Sequence, residues 1–167
     1  MTDAPQPAGS APAEPAGGAS VRVTIQRLAN YPSDWALPAY GTPGSAAVDL
    51  RNAGPAIEVP PLGRVLVATG LAIALPPDTE AQIRPRSGLA LKRGISIINT
   101  PCTIDSDYRG EIRIPLINLD REAQSIEHGE RIAQMLVARV LRIEWSPAGT
   151  LPPSVRGAGG FGSTGRH

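Results

Sequence analysis

Glycine and proline each occur 18 times in 167 residues, and this punctuation is what most limits the architecture. A helical bundle cannot carry so many breakers, whereas short strands joined by frequent turns can. The chain therefore reads as all-β. Residues 21–26, 46–51, 64–68, 71–75, 80–84, 95–99 and 112–118 are short runs rich in Val, Ile or Leu, bounded by Gly, Pro, Asn or Asp, as strands are. SGLALKRG, at 87–94, reads as a single short helix, with Ser87 as N-cap and Gly94 placed to end it. RIAQMLVARVLRIEW, at 131–145, fits both helical and strand periods; amid strands it is assigned as β.

The length suits one compact domain, 21–150. Apolar residues make up 41% and aromatics only 4%, so small aliphatic side chains must fill the core. Residues 1–20 form a Pro, Ala, Gly and Ser tract without a secretory core or an Arg-rich transit face, and are expected to be a disordered tail. Residues 151–167 are Pro- and Gly-punctuated and cannot bury their own backbone, so this arm is expected to order only against a partner.

Net charge is +1, which gives no general attraction for nucleic acid or an anionic membrane; any anion site must be local. The lone Cys102 excludes an internal disulfide and a multi-cysteine zinc site, and fits a reducing, cytoplasmic setting. No apolar run approaches the roughly 18 residues that span a bilayer.

The densest chemistry lies in TIDSDYRGE, at 103–111. Asp105 and Asp107 share one face if the segment is extended, with Tyr108 on the other, so one acid could be shielded while its neighbour stays wet. Taken alone, the acidic residues beside Gly110 are better explained as good hairpin chemistry. In RGAGGFGSTGR, at 156–166, closely spaced glycines let backbone N–H groups converge on an anion, while Ser163, Thr164, Arg156 and Arg166 add donors. No GK[ST] follows, so this is not a Walker A loop; a merely flexible end is the alternative. Phe161, the only phenylalanine, argues for a flat partner on which to stack.

Weaker patches follow the same pattern. Arg86 and Ser87 in RPRSGLAL stand at the helix start, suited to phosphate oxygens or simply to a capped helix. Asp49, near the end of GSAAVDL between Val48 and Leu50, suits Mg²⁺ directly or through water, or is an ordinary strand-end acid. In GERIAQM, Arg131 and Gln134 follow a turn, and Gln can orient a water. His128 and His167 lack metal-ligand spacing. Trp35 and Trp145 read as packing residues, and Arg109 and Glu111 as solvated or interface charges.

In order, GSAAVDL, PRSGLAL, NTPCTIDSDYRGE, GERIAQ and RGAGGFGSTG resemble the motifs of the trimeric deoxyuridine triphosphate nucleotidohydrolases, the dUTPases, over residues 21–166. Ala47 and Cys102 depart from glycines common at those positions in the family. The resemblance implies a jelly-roll-like β-barrel with one short helix, forming a homotrimer whose active sites are each built from several chains. It implies hydrolysis of dUTP to dUMP and pyrophosphate by water attack on the α-phosphorus, keeping uracil out of DNA and supplying dUMP for dTMP synthesis. Mg²⁺ is the implied cofactor and dUTP the partner, with no stable nucleic-acid binding and no membrane.

By residue-to-residue match, Asp105 is the general base and Gln134 orients the water. Asp49 holds the metal through water, and Arg86, Ser87, Gly88, Arg156, Gly162, Ser163 and Thr164 meet the phosphates. Tyr108 packs on the deoxyribose; Asn99, Thr103 and Ile104 in the hairpin read uracil; Phe161 stacks over it. Related dCTP deaminases carry a catalytic Glu where this chain has Pro115, which disfavours deamination. A non-catalytic nucleotide-binding trimer is disfavoured by the presence of Asp49, Ser87, Asp105, Gln134 and Arg156.

Overall fold

A computed structural model describes residues 20–160. Its elements run β1 Thr24–Arg27, β2 Val48–Arg51, β3 Ile57–Val59, β4 Arg64–Ala68, β5 Leu71–Ala74 and β6 Thr79–Pro85. They continue with α1 Ser87–Arg93, β7 Ile95–Ile97, β8 Cys102–Ile104, β9 Arg113–Asn118, β10 Gln124–Ile126 and β11 Arg131–Arg139. The fold is mostly β with one short helix among the described residues. Pairing is antiparallel throughout those residues and divides into a four-stranded sheet β2-β11-β6-β8, a three-stranded sheet β4-β9-β7 and the pairs β1-β5 and β10-β3.

Period-2 alternation builds the core. Ile114 and Leu116 of β9, Val67 of β4 and Ile95 and Ile97 of β7 point inward. They join Leu50, Ile83 and Ala133 of the larger sheet in one buried cluster. Each fully buried Leu or Ile stabilises the fold by roughly 1.5–3 kcal/mol. The buried Asn118 amide donates to the Val59 and Glu122 carbonyls, so no polar side chain is stranded there.

Pro115 sits in the middle strand β9, where a missing N–H normally breaks a ladder. Its partner on that side is Ile98, just past the end of β7, which donates to the Pro115 carbonyl at 3.0 Å. The lost bond therefore falls where the sheet is already ending. On the outward face, Leu66, paired with Pro115, is 58% exposed, and Ile98 is exposed beside them.

The structure corrects several expectations. The N-cap of α1 is Arg86, in extended conformation, and Ser87 is the first helical residue; Gly94 ends the helix in the left-handed region at φ 60°, its N–H bonded to the Leu89 carbonyl. Strand β11 stops at Arg139, because the apolar alternation of Leu141, Ile143 and Trp145 finds no partner strand among the described residues. Trp145 is accordingly 81% exposed and not a packing residue within this chain. Strands β3, β8 and β10 were not expected as strands; each has only three residues and owes its form to its partner.

Candidate active site

Two polar clusters form on the four-stranded sheet. The first gathers at the β2-β11-β6 junction, where the register places Asp49 opposite Gln134 and Gln134 opposite Arg84. Arg86, carried just beyond β6, donates Nε to Asp49 Oδ1 at 3.0 Å and Nη1 to the Arg131 carbonyl at 3.1 Å. Arg131 Nη1 donates to the other Asp49 oxygen at 3.2 Å. Two guanidiniums share one carboxylate, leaving a net positive patch suited to phosphate oxygens. Ser87 and Gly88 stand exposed beside it, at the start of α1. Gln134 is anchored, its Nε2 donating to the Pro85 carbonyl at 2.8 Å. Asp49 and Arg131 also face a cavity of about 370 Å³, lined further by Arg51, Tyr31 and Trp35.

The second cluster is the acidic turn. The chain leaves β8 at Ile104, and Tyr108 N–H closes on the Asp105 carbonyl at 3.1 Å, so Asp105 and Asp107 lie on a turn rather than on one face of a strand. This corrects the extended reading. Thr103, Ile104, Asp105 and Tyr108 line one hollow of about 180 Å³ together with Glu111 and Arg113. The Tyr108 ring folds over Gly110, where an added Cβ would lie 2.3 Å from the Tyr108 hydroxyl, and that hydroxyl donates to the Glu111 carbonyl at 3.0 Å. Asn99 is exposed on the turn leading into β8.

Of the two roles expected for Glu111, a solvated or an interface charge, the first does not hold. Its side chain is 10% exposed. Oε1 accepts from Asn30 Nδ2 and from Gly70 N–H, both at 2.8 Å, and Oε2 from Arg113 Nε at 2.9 Å. Burial opposes its ionisation, but the bonds from Asn30, Arg113 and Gly70, with the charge of Arg113, outweigh burial and hold its carboxyl below the usual carboxylate range. The sequence signal for this role is weak: Asn30 and Gly70 are far from Glu111 in the chain. His128 Nδ1 bonds the Gly54 carbonyl at 2.9 Å and its ring packs against Trp35.

The two clusters do not meet. Asp49 and Asp105 are separated by three strand spacings of about 4.8 Å and by about four residues of strand, roughly 20 Å in all. Gln134 thus stands with Asp49 and Arg86, away from Asp105. Arg156 is exposed on a turn, its Nε bonded to the Gly159 carbonyl, in a segment whose residues 141–158 are all exposed. Phe161, Gly162, Ser163 and Thr164 lie outside the described residues.

Residues 33–165 match the family model for dUTPase. The deoxyuridine 5'-triphosphate nucleotidohydrolase of Maricaulis maris is 53% identical over 149 residues, covering 87% of this chain and 97% of that protein. That of Wolinella succinogenes is 54% identical over 145 residues, covering 87% and 96%. Among solved structures, the Staphylococcus bacteriophage 80alpha dUTPase with dUPNHPP superimposes with a TM-score of 0.76 at 22% identity, covering 86% of this chain and 98% of that one. A dUTPase of S. aureus phage phi11, described with a structural Mg(II) ion, gives 0.69 at 16% identity, covering 79% and 99%.

Proposed function

This chain belongs to the dUTPase family, and on that premise we propose that it hydrolyses dUTP to dUMP and pyrophosphate by attack of water on the α-phosphorus. The observation that carries the reading is the hollow at the acidic turn, where Asp105 and Tyr108 share one wall with the β8 residues Thr103 and Ile104. Uracil presents its edge to the Asn99–Ile104 hairpin, and the deoxyribose packs on Tyr108, leaving no space for a 2′-hydroxyl. Asp105, exposed to solvent at the rim, accepts the proton of the attacking water. The triphosphate lies on the Arg86 and Arg131 guanidiniums, with Ser87, Gly88 and the tail residues Arg156, Gly162, Ser163 and Thr164 covering its oxygens, Gln134 orienting the water and Phe161 over the base.

Magnesium fits the donor set. Asp49 is a half-buried carboxylate whose two oxygens accept from Arg86 and Arg131, the guanidiniums on which the triphosphate lies, so an ion held through water there would stand beside the phosphates. Mg²⁺ commonly takes one or two carboxylates, keeps several waters and completes its shell with substrate phosphates. Asp49 would hold it through water, and the ion would supply neutralisation of phosphate charge.

A separation of roughly 20 Å is too long for one nucleotide to engage Asp105 and the Asp49 cluster with its reacting centre at both. Three copies that juxtapose the acidic turn of one with the Arg86 patch of another resolve this. The exposed apolar face around Leu66 and Ile98, and the unpartnered alternation of Leu141, Ile143 and Trp145, support such a homotrimer, since large apolar patches left in water are costly. A cytoplasmic setting agrees with the free, buried Cys102.

Incubation with dUTP or dCTP and Mg²⁺, read for pyrophosphate and ammonia, tests the reading. Pyrophosphate from dUTP alone is expected. Ammonia from dCTP would make the chain a deaminase, and silence with both would leave a binding module.

A further inference from the structure

Three short segments converge on the Glu111 carboxylate: the loop at Asn30, the turn at Gly70 and the start of β9 at Arg113. The main chain beside it is pinned as well, with Ile112 N–H on the Leu71 carbonyl at 2.8 Å and Thr69 Oγ1 on the Ile112 carbonyl at 2.7 Å. Glu111 is therefore the fixed end of the acidic turn, joined to the buried Ile112. The turn itself is otherwise held by its own bonds: Tyr108 to Asp105, and Arg109 to the Ser106 and Tyr108 carbonyls. Among the described residues, the Tyr108 hydroxyl alone reaches from the turn back to the anchored residue, donating to its carbonyl.

We propose that Glu111 is a positioning residue that sets the preference for deoxyribose over ribose by fixing the Glu111 carbonyl on which the Tyr108 hydroxyl rests. The inference rests on the reading above that Tyr108 meets the sugar. A tyrosine excludes a 2′-hydroxyl only if its ring cannot retreat, and the hydroxyl end of this ring is fixed, lying close against Gly110 and bonded to the Glu111 carbonyl. Gly110 supplies the space and Glu111 the stop. Without the carboxylate, Asn30, Gly70 N–H and Arg113 lose their common acceptor, the Glu111 backbone is freed to shift, and the ring gains room to yield to a ribose.

The discriminating readout is the ratio of kcat/KM for dUTP to that for UTP, because a variant that merely folds poorly lowers both values together. Glu111→Ala is expected to lower the ratio about tenfold or more, as loss of a steric or polar stop in a binding site does. Glu111→Gln keeps an acceptor oxygen for Asn30 and Gly70, while the half-exposed Arg113 can turn to water, so its ratio is expected within about threefold of wild type. An unchanged ratio in Glu111→Ala overturns the proposal. Should that variant not fold, Asn30→Ala, which removes one exposed donor, is read instead: a lowered ratio supports the proposal and an unchanged one overturns it. Wild-type protein that leaves both nucleotides intact would overturn the dUTPase reading and this proposal with it, whereas a wild type selective for dUTP beside an equally selective Glu111→Ala overturns this proposal alone.

Discussion

Arg86, at the entry to α1, donates Nε to Asp49 on β2 at 3.0 Å across 37 residues of chain. The pair ties the helix start to the first long motif and sets a carboxylate beside the positive patch. Both side chains are nearly one-third exposed, so the pair contributes little to folding, about 1 kcal/mol or less. Asp49→Ala is expected to unfold within a few degrees of wild type while needing far more Mg²⁺ for a given rate. Thermal melts and initial rates against Mg²⁺ concentration check both halves.

Gly94 adopts φ 60°, and a Cβ there would stand 2.7 Å from the Asp120 backbone nitrogen. Neither the angle nor the clash can be relieved by a side-chain rotation. Gly94→Ala is expected to lose about 1–3 kcal/mol of stability, visible as a lower Tm, and to disturb the helix that carries Ser87.

Glu111 makes the folded state sensitive to acid. Its carboxyl is held below the usual range in the fold, so unfolding takes up a proton, and the stability it contributes is present above its unfolded pKa and is lost as pH falls through the folded value. Wild-type Tm is therefore expected to fall more steeply on acidification than that of Glu111→Gln. Parallel slopes in a melt series across the acid range would contradict this.

Residues 140–158 leave β11 as a mostly exposed stretch without strand or helix. Ending the chain at Val155 removes Arg156 and the Gly-rich motif without cutting into a strand of the sheets. This truncation is expected to keep the wild-type circular dichroism spectrum and oligomeric size while losing most turnover of dUTP. Full activity would contradict a closing role for the arm.

Legibility of the fold in the sequence followed the strength of the local signal. RVLVA, between Gly63 and Thr69, shows its strand Arg64–Ala68 in the sequence itself, because β-branched residues and flanking turns agree. IEV, CTI and QSI are too short to show a period, and their pairing with β3, β6 or β10 partners is a tertiary fact. LRIEW carries a strand alternation that no strand among the described residues answers. At the site, the acidic turn and Asp49 were visible as dense polar residues beside glycine. The buried bonds of Glu111 leave no mark in the sequence, because Asn30 and Gly70 are brought to it only by folding. The pairing of Asp49 with both Arg86 and Arg131 was likewise invisible, since register across β2, β11 and β6 creates it.

The central claim is that the acidic turn of one copy and the Arg86 patch of another act on the same dUTP. Asp105→Asn and Arg86→Ala are each expected to lose most turnover alone, by roughly 10² or more for the base. The most direct measurement is to unfold and refold the two inactive variants together and assay pyrophosphate release from dUTP. With free mixing of subunits, about a quarter of shared sites draw both intact residues, so substantial activity is predicted to return. A mixture as inactive as its components would contradict the account.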